Sequence, residues 1–485
     1  MGRADWRIGW NPNARQDSRW TLIDRLRIVP PKGRREARDG GVMEGALAKV
    51  MARAGFAAPV SGLQRLSGGA NMESWLFACG DDRFVLRRAP SAEWIAARPL
   101  DMAGEAELIR RAHAGGVAAP EVVAELTPQD AFGIGFIMRC LPGTADPAVA
   151  LASPPEPAAD LAADLAGAMA RIHALDPASV PFLPRLEPAE GVEGLARQFA
   201  DAGGDRPIIA LGLAWLRAHL PPPAAPVVVH GDFRIGNLMV HEGRLSGVLD
   251  WELAHLGDGH EDLAYGCMTV WRFGQLDREG FGLTDVATLA RAYEAAGGER
   301  FDPARFRFWL VYRTVWWALG CLSMGQSWRS GTDRSLERVV VARRCTEQEL
   351  DLLLLLESEA PEAERARPLP TDCPPANAGT GEPSAAEILT AVSEWLAATV
   401  KGKLDGRERW ELAVAQNALG IVRRELAGRP AISDKALADS LLAGHEDLST
   451  PGLLAALRRR ALSTLSADMP KYPALARART LWEHR

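Results

Sequence analysis

The chain has 485 residues, enough for two to four domains with a core of ordinary size. Hydrophobic residues make up 47% and charged residues 24%, a usual soluble composition, and the formal net charge of -6 excludes a general polyanion binder, so no nucleic acid is expected as a partner. The longest apolar run, around Leu350 to Leu356, falls far short of a bilayer span, so no membrane partner is expected either.

Residues 1 to 43 are rich in arginine, carry Asp5, Asp17 and Asp24 and lack an apolar h-region, so they read as a poorly ordered extension and not as a signal peptide. A transit peptide is the weaker reading, and Met43 could be the natural start. Residues 44 to 56 read as a short helix. Leu63 to Leu66 and Ser74 to Cys79 read as strands around a Gly-rich turn from Ser67 to Glu73. Gly80-Asp81-Asp82 is a hairpin turn into a third strand, Arg83 to Arg88. A helix from Leu100 to Ala114 ends at Gly115-Gly116, where two glycines remove the preference for helix. Pro120 opens another strand, and Phe132 to Met138 complete a small antiparallel sheet.

Past Asp146 the pattern becomes Ala-rich and helical, broken by Pro-rich loops at 154–157 and 221–226. One loop stands apart, with strands expected at 227–229, 238–240 and 246–249. Phe306 to Trp328 reads as a long aromatic helix. Residues 361 to 383 have the Pro, Glu, Ala and Gly content of a linker. Beyond it, Ser384-Ala385-Ala386-Glu387 is a capping-box signature, followed by Ile388, Val392 and Trp395 at helical spacing. Residues 384 to 485 are therefore expected to form a separate helical domain.

The isolated loop reads His230-Gly231-Asp232-Phe233-Arg234-Ile235-Gly236-Asn237, with Asp250-Trp251-Glu252 following after a short hairpin. Moving a phosphoryl group demands positioning, metal ions and charge compensation more than covalent chemistry. Asp232 can accept or orient the proton of an attacking hydroxyl, and Arg234 can neutralise the transferred phosphate. Asn237 and Asp250 offer hard oxygen donors suited to Mg²⁺. His230 serves better as a buttress of the loop than as a reacting group. The plain alternative is a turn in which Asp232 and Asn237 cap local backbone, which would leave Arg234 and Asp250 coincidental.

On HGDFRIGN and DWE the chain resembles the aminoglycoside phosphotransferase and choline kinase group, over roughly residues 44 to 350. The resemblance implies an α+β, bilobal, protein-kinase-like fold. Its small β-rich N-lobe would span 44–141 and its helical C-lobe 142–360, with the all-α domain attached. It implies that Asp262 anchors the catalytic-loop backbone. It implies a nucleotide-covering loop at Leu66 to Ser74, with Ser67, Gly68, Gly69 and Asn71 near the phosphates, where small residues allow close backbone approach. The strand Phe84 to Arg88 is similar to the one that usually carries a phosphate-binding lysine. Arginine stands there instead, Arg87 by preference and Arg88 as second choice, and it can still pair bidentately with phosphate. Glu105 matches the partner glutamate, with Glu107 as second choice. Met138 to Leu141, with Met138 and Cys140 named, would be the hinge meeting the adenine.

The function that follows is transfer of the γ-phosphate of ATP or GTP, with Mg²⁺, to a hydroxyl of a small-molecule acceptor. Within the group, the arginine and DWE look most like domains fused to acyl-CoA dehydrogenases, so a hydroxyacyl-CoA is among the acceptors to consider. The rival class is a nucleotide-binding pseudokinase or scaffold that uses its C-terminal helices to bind proteins, and the arginine is its best support. His255 and His260 flank Asp258 with a spacing unlike common zinc patterns. Phe306, Trp309, Tyr312, Trp316 and Trp317 form a stripe that is either core or acceptor pocket, with Arg313 the member to watch. Six scattered cysteines without a CxxC pair suit a reducing, cytoplasmic setting. A homo-oligomer is compatible with all of this.

Overall fold

The computed structural model describes residues 33–66, 72–89, 100–130, 133–152, 155–333, 336–370, 385–426 and 433–483. Helix α1 (Gly33–Arg53) leads into β1 (Val60–Leu66), β2 (Glu73–Cys79) and β3 (Asp82–Arg88). Then come α2 (Met102–Ala114), β4 (Val122–Glu125) and β5 (Gly135–Arg139). The five strands form one antiparallel sheet in the order β1-β2-β3-β5-β4, so β3 is central. Helix α1 starts earlier than expected from sequence, and the run Arg34-Arg35-Glu36-Ala37-Arg38 ahead of Gly40-Gly41 consists of good helix formers.

Strand alternation decides which side chains of β3 meet the core. Phe84 and Leu86 are fully buried against Leu47, Val50 and Met51 of α1, Phe77 of β2 and Ile137 of β5. Val85 and Arg87 therefore project from the opposite face, and Arg87 reaches α2 and the C-lobe. Helix α2 is capped by Asp101, whose carboxylate accepts the Gly104 amide at 2.7 Å, and Gly115 closes its far end.

After a short helical turn at Pro147–Leu151, the larger lobe has α3 (Pro155–His173), α4 (Pro188–Asp201) and α5 (Pro207–Ala218). Short strands β6 (Val227–Val229), β7 (Leu238–His241), β8 (Arg244–Val248) and β9 (His255–Gly257) pair as β6-β9 and β7-β8. Helices α6 (His260–Cys267), α7 (Val286–Ala295), α8 (Pro303–Ser330), α9 (Leu336–Ala342) and α10 (Cys345–Leu356) complete it. Asp302 caps α8, Pro303 sits at its first turn, and Gly331 ends it with φ of 83°.

The C-terminal helices are α11 (Ala385–Trp395), α12 (Gly406–Leu426), α13 (Lys435–Leu442), α14 (Leu453–Asp468) and α15 (Pro473–Glu483). Leu441 of α13, Leu454, Leu457 and Leu465 of α14 and Trp482 of α15 share one buried core with α5, α8 and α10. Polar ties reinforce it: Arg458 pairs with Glu357 at 2.6 Å, and Trp482 Nε1 donates to Glu357 at 2.8 Å. Glu364, in the stretch expected to be linker, accepts the Gly452 amide at 2.7 Å. Residues 371–384 lie outside the described residues. Among the described helices, none is long and apolar enough to cross a membrane.

Candidate active site

The loop between β6 and β7 is shaped by its glycines. Gly231 has φ of 80°, and a Cβ there would lie 2.4 Å from the Leu253 carbonyl oxygen, so only glycine lets the loop pass so close to the turn at Leu253. The loop backbone is then held from beneath. Asp262, fully buried in the first turn of α6, accepts the His230 amide at 2.8 Å and the Gly231 amide at 2.9 Å. His173 Nε2 lies 3.1 Å from the same carboxylate, and His173 Nδ1 lies 2.7 Å from the Tyr293 hydroxyl. Burial opposes the charge on Asp262, but the hydrogen bonds from His173 and the His230 amide keep its carboxyl down at about 2. Arg313 of α8 donates to the Gly231 carbonyl at 2.9 Å and pairs with Glu261 at 2.6 Å.

Asp232 is held on both oxygens. Arg234 Nε donates to Oδ1 at 2.9 Å, and Asn237 Nδ2 donates to Oδ2 at 2.5 Å. Burial, and then the nearby Asp232 charge, push the Tyr265 hydroxyl above its usual range. His230 has no exposed surface, accepts the Asp232 amide on Nδ1 at 3.2 Å and packs against Trp251. Burial draws its pKa below the usual value, as suits a neutral buttress.

The Asn237 amide nitrogen is committed to Asp232, so its carbonyl oxygen is the group presented elsewhere. Its backbone oxygen accepts the Leu249 amide at 2.9 Å, which sets it beside Asp250. Asp250 adopts φ of 67°, a left-handed conformation that turns the chain out of the hairpin. Arg87 reaches it across the lobes. Its Nη2 lies 2.6 Å from Asp250 Oδ1 and 3.0 Å from Glu252 Oε2, while its Nε lies 3.0 Å from Glu105 Oε1. Burial works against both charges. Three surrounding carboxylates nevertheless hold Arg87 above its ordinary range, and Arg87 holds Asp250 below its own. The Asn237 carbonyl and the Asp250 carboxylate are hard oxygens of the kind Mg²⁺ takes, so the residues fit that ion.

Of the paired choices, Arg87 enters this network, whereas Arg88 turns to Glu73 at 2.7 Å. Glu105 is buried in it, whereas Glu107 pairs with Arg111 on the surface of α2. Ser67, Gly68, Gly69 and Asn71 lie outside the described residues. Met138 pairs with Val85 and Val122 within the sheet, and the Cys140 amide, just past it, is engaged with the Arg83 carbonyl at 2.9 Å. The aromatic stripe divides. Phe306, Trp309 and Tyr312 are core, while Trp316 and Trp317 are half-buried near Tyr265 and Trp271. Trp271 lies under the Arg234 guanidinium at 4.2 Å.

Asp258, His260 and Glu299 come within 4.8 Å of one another, but Asp258 is spoken for. Its Oδ2 pairs with Arg305 at 2.6 Å and its Oδ1 accepts the His260 amide at 3.0 Å, so it joins α6 to α8. Sequence reasoning missed His173, Tyr265 and Trp271 and gave Glu252 no separate role. His173, at the end of an Ala-rich helix in a chain with nine histidines, was the one with a local signal.

A helical lobe beside a five-stranded sheet, joined to it by one arginine that pairs with carboxylates of both lobes, is the arrangement of a kinase-like phosphotransferase. The profile of the phosphotransferase enzyme family (APH) matches residues 62–309, and the chain belongs to that family. A domain of unknown function, DUF6285, matches residues 402–472. Among curated proteins, the chain is 33% identical over 144 residues to the probable acyl-CoA dehydrogenase IBR3 of Arabidopsis thaliana, covering 24% of this chain and 18% of that protein. It is 27% identical over 219 residues to acyl-CoA dehydrogenase family member 10 of Mus musculus, covering 42% and 20%. The match thus spans about a fifth of the length of these relatives. A crystal structure named as a "putative aminoglycoside phosphotransferase" from Ralstonia eutropha superposes with a TM-score of 0.53 at 22% identity, covering 65% of this chain and 98% of that one. That similarity shows a shared fold.

Proposed function

We propose that this protein transfers the γ-phosphoryl group of ATP or GTP to a hydroxyl of a small-molecule metabolite, with Asp232 as catalytic base. The observation that carries the reading is a series of contacts that runs from one lobe to the other, with one backbone step between Asn237 and Asp250. Glu105 meets Arg87, Arg87 meets Asp250, the amide of the preceding Leu249 donates to the Asn237 backbone carbonyl, and Asn237 holds Asp232. In this reading Asp232 takes the proton of the acceptor hydroxyl as its oxygen attacks the γ-phosphorus and the bond to the β-phosphate oxygen breaks. Arg234 compensates charge on the group in flight, and His230 keeps the loop in shape. Arg87 exchanges part of its carboxylate pairing for the α- and β-phosphates, with Glu105 holding its Nε in place. Asn237 and Asp250 would hold Mg²⁺, which supplies charge neutralisation on the phosphates when bound. Ser67, Gly68, Gly69 and Asn71 would cover the nucleotide, with Met138 and Cys140 at the base. The acceptor would approach from the side of Trp271 and Trp317, and a hydroxyacyl-CoA ester is one candidate, since the relatives named above are acyl-CoA dehydrogenases. A cytoplasmic setting agrees with the free thiols among the described cysteines.

The test is Asp232→Asn. Acceptor phosphorylation should fall by about 10²- to 10⁴-fold while thermal stabilisation by Mg-ATP persists. Undiminished turnover would overturn the assignment. A second reading, a nucleotide-binding scaffold, draws on the exposed Ile388, Val392 and Trp395 of α11. Mg-ATP stabilisation without turnover against a pool of hydroxylated metabolites would favour it.

A further inference from the structure

His255 opens β9 and stands opposite Val229, two residues ahead of Gly231. His255, Glu261 and Arg313 are each at most 7% exposed. His255 Nδ1 lies 2.9 Å from the Leu253 carbonyl oxygen, and its Nε2 lies 3.0 Å from Glu261 Oε2. A backbone carbonyl only accepts, and so does a carboxylate. Glu261 serves as a carboxylate between two donors, since Arg313 Nη2 stands 2.6 Å from its other oxygen. Each ring nitrogen of His255 therefore faces an acceptor, and only an imidazolium, with a proton on both, satisfies the two. A neutral ring would turn a lone pair towards one of them, in a buried place where a lost hydrogen bond is costly.

Two arms of this network close on Gly231. The Leu253 carbonyl, which His255 holds, is the group that a Cβ on Gly231 would meet at 2.4 Å. On the other side Arg313, paired with Glu261, donates to the Gly231 carbonyl at 2.9 Å. The Tyr265 and Trp316 rings lie at 4.8 and 4.9 Å from the same guanidinium and restrict its movement. Asp232 is the next residue along the chain.

We propose that His255 is a positioning imidazolium: its two ring protons tie the Leu253 carbonyl to Glu261, and through Glu261 and Arg313 they fix Gly231 and so the place of Asp232. It touches no reacting group. The proposal rests on the phosphotransferase reading for its purpose, not for its geometry. Burial opposes the charge on the ring, and the Glu261 carboxylate overrides that, holding His255 above the usual histidine range. Arg313, beyond Glu261, works against the charge. Tyr312, beside Arg313 on α8, is held above its ordinary range by burial. Arg185, whose segment bridges to Leu256, turns outward to Glu187, and Asp258 at the end of β9 is taken by Arg305 and His260. The raised group keeps its proton below neutral pH, and the grip on Gly231 is lost as pH rises through the His255 titration.

Nitrogen NMR of the full-length chain labelled at histidine tests the charge, with His255→Gln identifying the signal. At about pH 7.5, where an ordinary histidine is mostly neutral, both ring nitrogens of His255 should carry protons. Glu261→Gln removes the countercharge and keeps the ring, and its His255 should be neutral there; it also identifies the signal if His255→Gln fails to fold. A neutral His255 in the wild type at that pH would overturn the proposal. Hydrogen exchange tests the positioning. The His230 and Gly231 amides, bonded to Asp262, lie in the peptide 228–237. Its protection, corrected for the intrinsic rate, should fall by about tenfold as pH rises through the His255 titration. In His255→Gln it should be low and flat with pH. Protection indifferent to that titration would refute the positioning role even for a charged ring. Thermal shift with Mg-ATP runs beside both. No shift in wild type would count against the phosphotransferase reading, while NMR and exchange would still decide the part played by His255.

Discussion

Arg87 concentrates the physics of the site in one side chain. It is mostly buried, and its guanidinium meets three carboxylates in two lobes at 2.6–3.0 Å. A lysine could not satisfy this geometry, because a compact ammonium lacks the planar fork that pairs with several carboxylates at fixed angles. Removing the cation takes from Glu105, 1% exposed, and from Asp250 and Glu252 the countercharge that Arg87 brings to all three. Arg87→Ala should therefore destabilise the fold by about 3 kcal/mol, read by chemical denaturation, and should also abolish the Mg-ATP thermal shift. Arg87→Lys should retain more of the stability than of the shift. That an arginine occupies this strand was legible in the sequence. That it bridges to Glu252 as well as Asp250 was not, because nothing local says where the DWE triplet lies relative to β3.

At the scale of the element, the loop from His230 to Asn237 is a backbone device. Its amides are held by Asp262 and its carbonyl at Gly231 by Arg313, so it presents side chains without needing its own secondary structure. Gly231→Ala would bring a Cβ within 2.4 Å of the Leu253 oxygen at φ of 80°. It should cost about 2 kcal/mol or more in denaturant titration and lower turnover by displacing Asp232. The hairpin after the loop was expected at 238–240 and 246–249, and β7 and β8 fall at Leu238–His241 and Arg244–Val248. The motif spacing made this visible. The anchor from α3, His173, was not visible, since a histidine far upstream becomes part of the site only when α3 lies under α6.

For the whole molecule, Asp351 makes the junction between the larger lobe and the C-terminal helices sensitive to proton concentration. Burial pushes its carboxyl up to about 7, against the lowering effect of Tyr472, Arg272 and Thr269. The folded protein therefore holds this proton more tightly than the unfolded chain. Its contribution favours folding below roughly pH 4 and is lost as pH rises towards about 7. Denaturation midpoints across that window should fall with pH, and Asp351→Asn should flatten the slope. Glu347, raised in the same direction by burial, will leave a remainder.

Sequence alone determined the elements whose signal is local: the strand alternation around Phe84, the capped α2 and the order of groups from His230 to Glu252. Each depends on neighbours a few residues apart, which spacing and residue type reveal. Tertiary structure alone decided the pairings that cross the chain. Among these are Arg87 with Asp250, His173 with Asp262, Trp271 under Arg234 and Tyr472 on Asp351. These partners are separated by tens to hundreds of residues, and burial, which makes each pairing both necessary and strong, exists only once the helices have packed.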